Sequence, residues 1–473
     1  MKKLTVLLLA IGISYMSYAQ PNHTTIYNRY FTNETMRVDY FHSGTATEEH
    51  FSIDRILNDG SWAGSENVLL DNLNRGLYFF KITDTLTNTL LYSRGFASVF
   101  GEWQSINDPT WGTFSESLRF PWPKLPVRLT IEKRNAKNNF VALWSVVIDP
   151  KSRIVNPSVL KSPYKSFPYL ENGNAKNHVD IVILGDGYSA AEMGKFHKDV
   201  ATLTDELFTV EPFKSRKNDF NLSAVETPSA TSGVNKPHPG VFNRTPLSVS
   251  YGAFDSERYA LSYDNSTIRN VAANVPYDYM FILINERTYG GGGIFNLYST
   301  VAADNKFSRY IFVHEFGHSF AALADEYYTS VVSYQTPEIT VEPWEPNVTA
   351  LFDRDKLKWE DLVKPGTPIP TPWDKTEFDN FSYGIQKERR ALRAANVPEA
   401  EMENLFEREK KTSLEMFNNN KYKDATGAFE GGNYSQFGIY RSALDCIMFT
   451  RNKQAFCPAC TKAISEVIDM YSR

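Results

Sequence analysis

The chain has 473 residues, 42% of them hydrophobic and 14% aromatic, a composition that supports packed cores, excludes a disordered chain and leaves room for two domains. Its 50 basic and 55 acidic residues leave a formal net charge of −5, which gives nucleic acid or an anionic membrane no electrostatic attraction.

The chain opens "MKKLTVLLLAIGISYMSYAQ". Lys2 and Lys3 precede an apolar run, and "SYA" before Gln20 suits cleavage after Ala19, so residues 1–19 read as a signal peptide. The run is short for a membrane span, and no Cys follows it, which argues against a retained anchor and against a lipid-anchored form. No later stretch approaches a transmembrane length. The expected mature chain is exported to the periplasm, the outer surface or the medium, with no transmembrane segment.

Residues 20–155 read as an antiparallel β-sandwich. The segments "TMRVDYF", "GLYFFKITD", "TLLYSRGF", "PVRLTIEKR" and "FVALWSVVID" alternate apolar and polar residues or are rich in β-branched and aromatic types. Turns are expected at "NDGS" (58–61), "NRG" (74–76) and "NAKNN" (135–139). The prolines of "RFPWPKLPVR" (119–128) restrict that stretch to a loop or an edge strand. Residues 150–177, rich in Pro, Ser, Lys and Asn, read as a linker.

Residues 156–473 form the second expected domain, of α/β or α+β type. "VDIVILG" (179–185) and "YDYMFILIN" (277–285) lack alternation, as strands buried on both faces do. Asp186, in the "GDGY" that follows the first of them, suits a turn into a helix. Four glycines at 290–293 lead into "IFNLYSTVA". The charged run 385–415, broken near Pro398, reads as a solvated helical insertion.

"IFVHEFGHSFAALADEYY" (311–328) carries the chemistry. His314 and His318 are one helical turn apart and share a face, where both can reach one zinc ion at about 2.0–2.1 Å. Glu315 is placed to act as general base, taking a proton from the water that attacks a carbonyl. Gly317 costs a helix about 1 kcal/mol relative to Ala and so implies a close neighbour. Asp325 is the expected third ligand, with Glu326 or a more distant Glu as rivals. Seven helical residues would carry Asp325 about 10 Å along the axis from His318, so the helix must stop soon after His318 and the chain must curl back. No Gly marks that turn. Glu326 is then expected to pair with a cation or to cap the turn. The expected cofactor is one Zn2+ per chain.

Cys446, Cys457 and Cys460 are the only cysteines. In an exported chain they suggest one disulfide with a thiol left over. A zinc knuckle competes, but three Cys with no nearby His make a poor ligand set.

"HEFGHSFAALADEYY", "GNYSQFGIYRSALDCIM", "FCPAC", "VILGDGYSAAEM" and "SATSGVNKP" together resemble the IgA-peptidase family of zinc metallopeptidases, of the Bacteroidetes type with an N-terminal β-sandwich domain. The resemblance spans about 165–473. It implies a metzincin-like catalytic domain in which Met448 forms a Met-turn beneath the zinc. In metzincins a Tyr that binds the transition-state oxyanion often follows that Met. Phe449 and Thr450 stand there in this chain, which leaves Tyr440 or Arg441 as oxyanion candidates. A protein or glycoprotein substrate would add as a strand to the sheet edge at "IFNLYSTVA". The expected function is an exported zinc endopeptidase acting on extracellular proteins, with immunoglobulins or other glycoproteins as substrate options. The alternative is a surface or glycan-binding protein with a structural zinc site, marked by a fourth protein ligand.

Overall fold

The alternating segments of the N-terminal region pair into two four-stranded sheets in this computed structural model, which describes residues 23–160, 163–330, 339–452 and 455–472. The expected leader, 1–19, lies outside the described residues. The first sheet has the order Gly112–Pro123, Phe31–Gly44, Glu49–Ser61, Val155–Val159, and the second Leu90–Phe96, Tyr78–Asp84, Val127–Arg134, Phe140–Ile148. Met36, Val38, Tyr40, Phe80, Phe120 and Leu129 meet between them. The prolines at 121 and 123 do fall on an edge strand.

Three features differ from the sequence reading. "NDGS" is not a hairpin turn. Ser61 pairs with Glu34 and Asn58 with Met36, so Asp59 and Gly60 form a bulge at the strand end, with Gly60 at φ +87°. The sandwich is not wholly antiparallel, because Val155–Val159 joins Glu49–Ser61 in parallel after crossing from the other sheet, a connection that hairpin geometry does not constrain. The stretch 150–177 is more than a linker: it holds that strand and also Ser166–Leu170, the edge of the next sheet.

That second sheet has six strands, in the order Gly291–Ile294, Tyr298–Ala302, Tyr279–Ile284, Val179–Asp186, Phe220–Val225, Ser166–Leu170. The inner four are parallel and both edge strands are antiparallel. Ile181 and Ile183 enter one core while Val182 and Leu184 enter another, so every residue of Val179–Asp186 is buried and no alternation is visible. Asp186 ends this strand and is buried, accepting from Thr245 Oγ1 at 2.7 Å and from the Val249 N–H at 2.9 Å. The helices Met193–Leu207, Ser308–Ala321 and Pro458–Tyr471 pack on the first of these cores.

The charged run belongs to a hairpin of two helices, Lys375–Ala394 and Glu399–Asn418, broken at Pro398. It is not solvated on every face. Met402, Leu405 and Phe406 form a stripe at helical spacing that is buried in the core of the second domain, and Glu399 accepts the Tyr289 N–H at 3.1 Å. The sandwich docks firmly on the second domain. Arg119 donates to the Tyr277 carbonyl at 2.8 Å with its guanidinium 3.6 Å over the Tyr277 ring, and Arg75 reaches the Ala463 carbonyl at 2.8 Å. No helix among the described residues is long and apolar enough to cross a membrane.

Candidate metal centre and active site

Ser308–Ala321 carries His314, Glu315 and His318 and ends one residue later, where Ala322 adopts a left-handed conformation at φ 57°. This cap costs a non-glycine residue about 1–2 kcal/mol. Two hydrogen bonds close it, from the Ala322 N–H to the His318 carbonyl at 3.0 Å and from the Leu323 N–H to the Gly317 carbonyl at 3.3 Å. The turn frees the Leu323 carbonyl to face His318 Nδ1 at 2.6 Å and swings Asp325 back over the histidines.

Asp325 Oδ1 lies 3.1 Å from His314 Nε2 and 3.2 Å from His318 Nε2, and the two Nε2 atoms are 3.2 Å apart. His314 Nδ1 faces the Ile447 carbonyl at 3.0 Å. Carbonyls only accept, so both Nδ1 atoms carry protons and both Nε2 lone pairs point at the carboxylate. Asp325 Oδ1 is buried and accepts no hydrogen bond of ordinary geometry. Three acceptors at such distances repel one another unless a cation sits among them. A tetrahedral ion with bonds of about 2.0–2.1 Å would space its ligand atoms about 3.3 Å apart, so the triangle fits zinc. Without metal a proton takes that place. Burial lowers the His318 pKa, but the Asp325 carboxylate outweighs it and pushes the value up to about 9. Burial likewise opposes ionisation of Asp325, yet the imidazoles hold its carboxyl well below the usual range.

Supporting groups fix this triangle. Tyr434 donates its hydroxyl to Asp325 Oδ2, leaving Oδ1 for the histidines. Asn347 bonds both the N–H and the carbonyl of Ala324, at 2.8 and 2.9 Å. Met448 lies under the helix, and a Cβ at Gly317 would stand 2.9 Å from its Sδ, which explains the glycine. Glu326 does not face the triangle. It is fully buried on the other side of the segment, and its N–H donates to the Met448 carbonyl at 2.7 Å.

Glu315 is half-buried at the cleft floor, and burial raises its carboxyl pKa, with His314 and His318 opposing the rise. The cleft spans about 2020 Å³ with the open solvent at its mouth included. Its walls include the sandwich helix Val99–Ser105, the helical hairpin, the strand Gly291–Ile294 and the segments that carry Arg258, Tyr327 and Tyr434. This glycine strand is itself the sheet edge, and "IFNLYSTVA" contributes the strand inside it, because only glycine can lie this close to the helix. A Cβ at Gly293 would meet the Glu315 carbonyl at 2.4 Å.

Tyr440 and Arg441 do not line the cleft. Arg441 is fully buried, donates to the carbonyls of Gly431 and Leu444, and stacks 3.9 Å over Phe449. Arg258 and Tyr327 occupy the cleft instead, joined by a 3.1 Å hydrogen bond, with the Tyr327 ring parallel to that of His314. Arg258, Asn347 and Tyr434 carry no local sequence signal, since each acts only through contacts distant in the chain. The expected disulfide is not formed: Cys446, Cys457 and Cys460 are all free and buried.

The family model described as IgA Peptidase M64 matches residues 168–468, and that described as Peptidase M64 N-terminus matches residues 26–145. No curated protein matches the chain.

Proposed function

The chain belongs to the M64 family of IgA peptidases, and from that premise we propose that it is an exported zinc endopeptidase hydrolysing peptide bonds of extracellular proteins. The observation that carries the reading is the triangle of His314 Nε2, His318 Nε2 and Asp325 Oδ1 beside Glu315 on the floor of a long cleft. Those three atoms would hold the ion, as in a metzincin-like site with Met448 beneath it. Zinc there supplies Lewis acidity toward a carbonyl and toward water.

The remaining chemistry falls to the chain's own groups. Glu315 accepts the proton of the attacking water and passes it to the leaving amine, a task suited by a carboxyl whose pKa burial has raised. Arg258, with Tyr327 beside it, meets the negative charge that develops on the carbonyl oxygen. An extended substrate pairs its backbone with the edge strand Gly291–Ile294. The family description points to immunoglobulin A, and a glycoprotein-directed peptidase is the neighbouring option. Three protein ligands favour this enzyme over a binding protein with a four-ligand structural zinc.

Glu315→Gln tests the reading. The amide cannot take the proton, so zinc content should persist while cleavage of a mixed peptide library falls by about 100-fold or more. Near-normal turnover in this variant would remove Glu315 from the mechanism.

A further inference from the structure

We propose that the chain holds a second metal ion, structural and separate from the triangle above, bound by Cys446, Cys457, Cys460 and Glu326. The four side chains come from three distant segments. Glu326 follows Asp325 in the chain, Cys446 stands two residues before Met448, and Cys457 and Cys460 open the helix Pro458–Tyr471. All four are buried, and their ligand atoms lie within 4.8 Å of one another.

The distances are those of a tetrahedral thiolate site. Cys446 Sγ and Cys460 Sγ are 3.9 Å apart, while Glu326 Oε1 lies 3.5 Å from Cys457 Sγ and 3.4 Å from Cys460 Sγ. Bonds of about 2.3 Å to sulfur and 2.0–2.2 Å to oxygen would set sulfur–sulfur separations near 3.8 Å and sulfur–oxygen separations near 3.5 Å. Backbone N–H groups already face the sulfurs as they would face thiolates. Met448 and Cys457 donate to Cys446 Sγ at 3.4 and 3.2 Å, Cys460 donates to Cys457 Sγ at 3.4 Å, and Ser442 Oγ stands 3.0 Å from Cys457 Sγ.

Glu326 separates a metal site from a cluster of core thiols. It is fully buried, and its Oε2 has no hydrogen-bond partner. A carboxylate so placed is costly unless a cation neutralises it. One disulfide would consume two sulfurs and leave the third over, and Glu326, whose Oε1 accepts from Asn347 Nδ2 at 3.1 Å, would still bury an unpartnered Oε2. Soft thiolates in a tetrahedral set select zinc, and four protein ligands leave no open position. The ion would pin the segment that carries Asp325 to the turn that carries Met448 and to the last helix. It is a fastening for the active site, and its existence does not depend on the peptidase reading.

The test is metal content and cobalt(II) absorption of the full mature chain, purified without chelators. Two zinc ions per chain are expected, falling to one in His314→Ala. Replacing zinc with cobalt(II) in His314→Ala should retain thiolate-to-cobalt charge-transfer absorption, because only the cysteine site has sulfur ligands. Cys460→Ser should lose that absorption. If that variant fails to fold, a mercurial thiol reagent added to folded His314→Ala should release one zinc, read with a metallochromic dye. A wild-type chain with a single zinc that disappears in His314→Ala would overturn the proposal. So would a denatured, unreduced chain with one titratable thiol, which would mean a disulfide.

Discussion

Gly317→Ala measures how tightly Met448 supports the helix that carries His314 and His318. In an exposed helix interior this change stabilises by about 1 kcal/mol. Here the new Cβ would stand 2.9 Å from Met448 Sδ and 3.2 Å from both Leu323 Cδ1 and Phe456 Cε1, and all three neighbours are buried. Overpacking of this kind costs about 1–3 kcal/mol, so a net loss on the order of 1 kcal/mol is expected once the helix gain is subtracted. Met448 has little freedom to yield. Its carbonyl holds the Glu326 N–H, and the Ile447 carbonyl beside it holds His314 Nδ1, so a shift passes directly to His314 and to the segment that carries Asp325. Zinc affinity should therefore fall by about 10-fold or more, as when a ligand's supporting partner is disturbed. Urea unfolding gives the stability and competition with a chromophoric chelator gives the affinity. In a Met448→Ala background the same substitution should instead stabilise. If Gly317→Ala adds its full 1 kcal/mol in the wild-type chain, the tight contact is wrong.

Three further outcomes are expected. Asp325→Ala should weaken zinc binding at the histidine site by more than the roughly 100-fold that losing a supporting partner costs, measured by the same competition. Arg258→Ala should lower kcat with little change in KM or in zinc content, if Arg258 acts on charge developed only in the transition state; an equal rise in KM would make it a substrate-binding residue. A pH series of urea midpoints reports on Asp180 and Asp278, side by side at the start of two adjacent strands, where the Asp180 N–H donates to the Asp278 carboxylate at 3.0 Å. Burial raises both carboxyls, and the Asp278 charge raises Asp180 further. The folded state thus binds extra protons above the ordinary carboxylate range, so stability should fall as pH climbs from about 4 through neutrality, and Asp278→Asn should flatten that slope.

Local pattern was enough for much of this protein. Alternation marked the sandwich strands, unbroken apolar runs marked Val179–Asp186 and Tyr279–Ile284, and two histidines one turn apart marked the helix of the candidate site, because each signal is written in the spacing of near neighbours. The geometric demand that the helix stop before Asp325 was also readable, since rise per residue is the same in every helix. How the chain would turn was not readable, because Ala322 takes a conformation its residue type disfavours and is held there by contacts around it. The charged hairpin misled for the opposite reason: its overall charge hid the narrow stripe of Met402, Leu405 and Phe406. Arg258, Tyr434 and Asn347 reach the site from up to 109 residues away, and nothing beside them in the chain records it. The cysteines lacked a fourth ligand in the sequence because Glu326 lies 120 residues before the nearest of them. Only folding brings that carboxylate to the sulfurs, and a ligand set assembled across the core has no spacing to read.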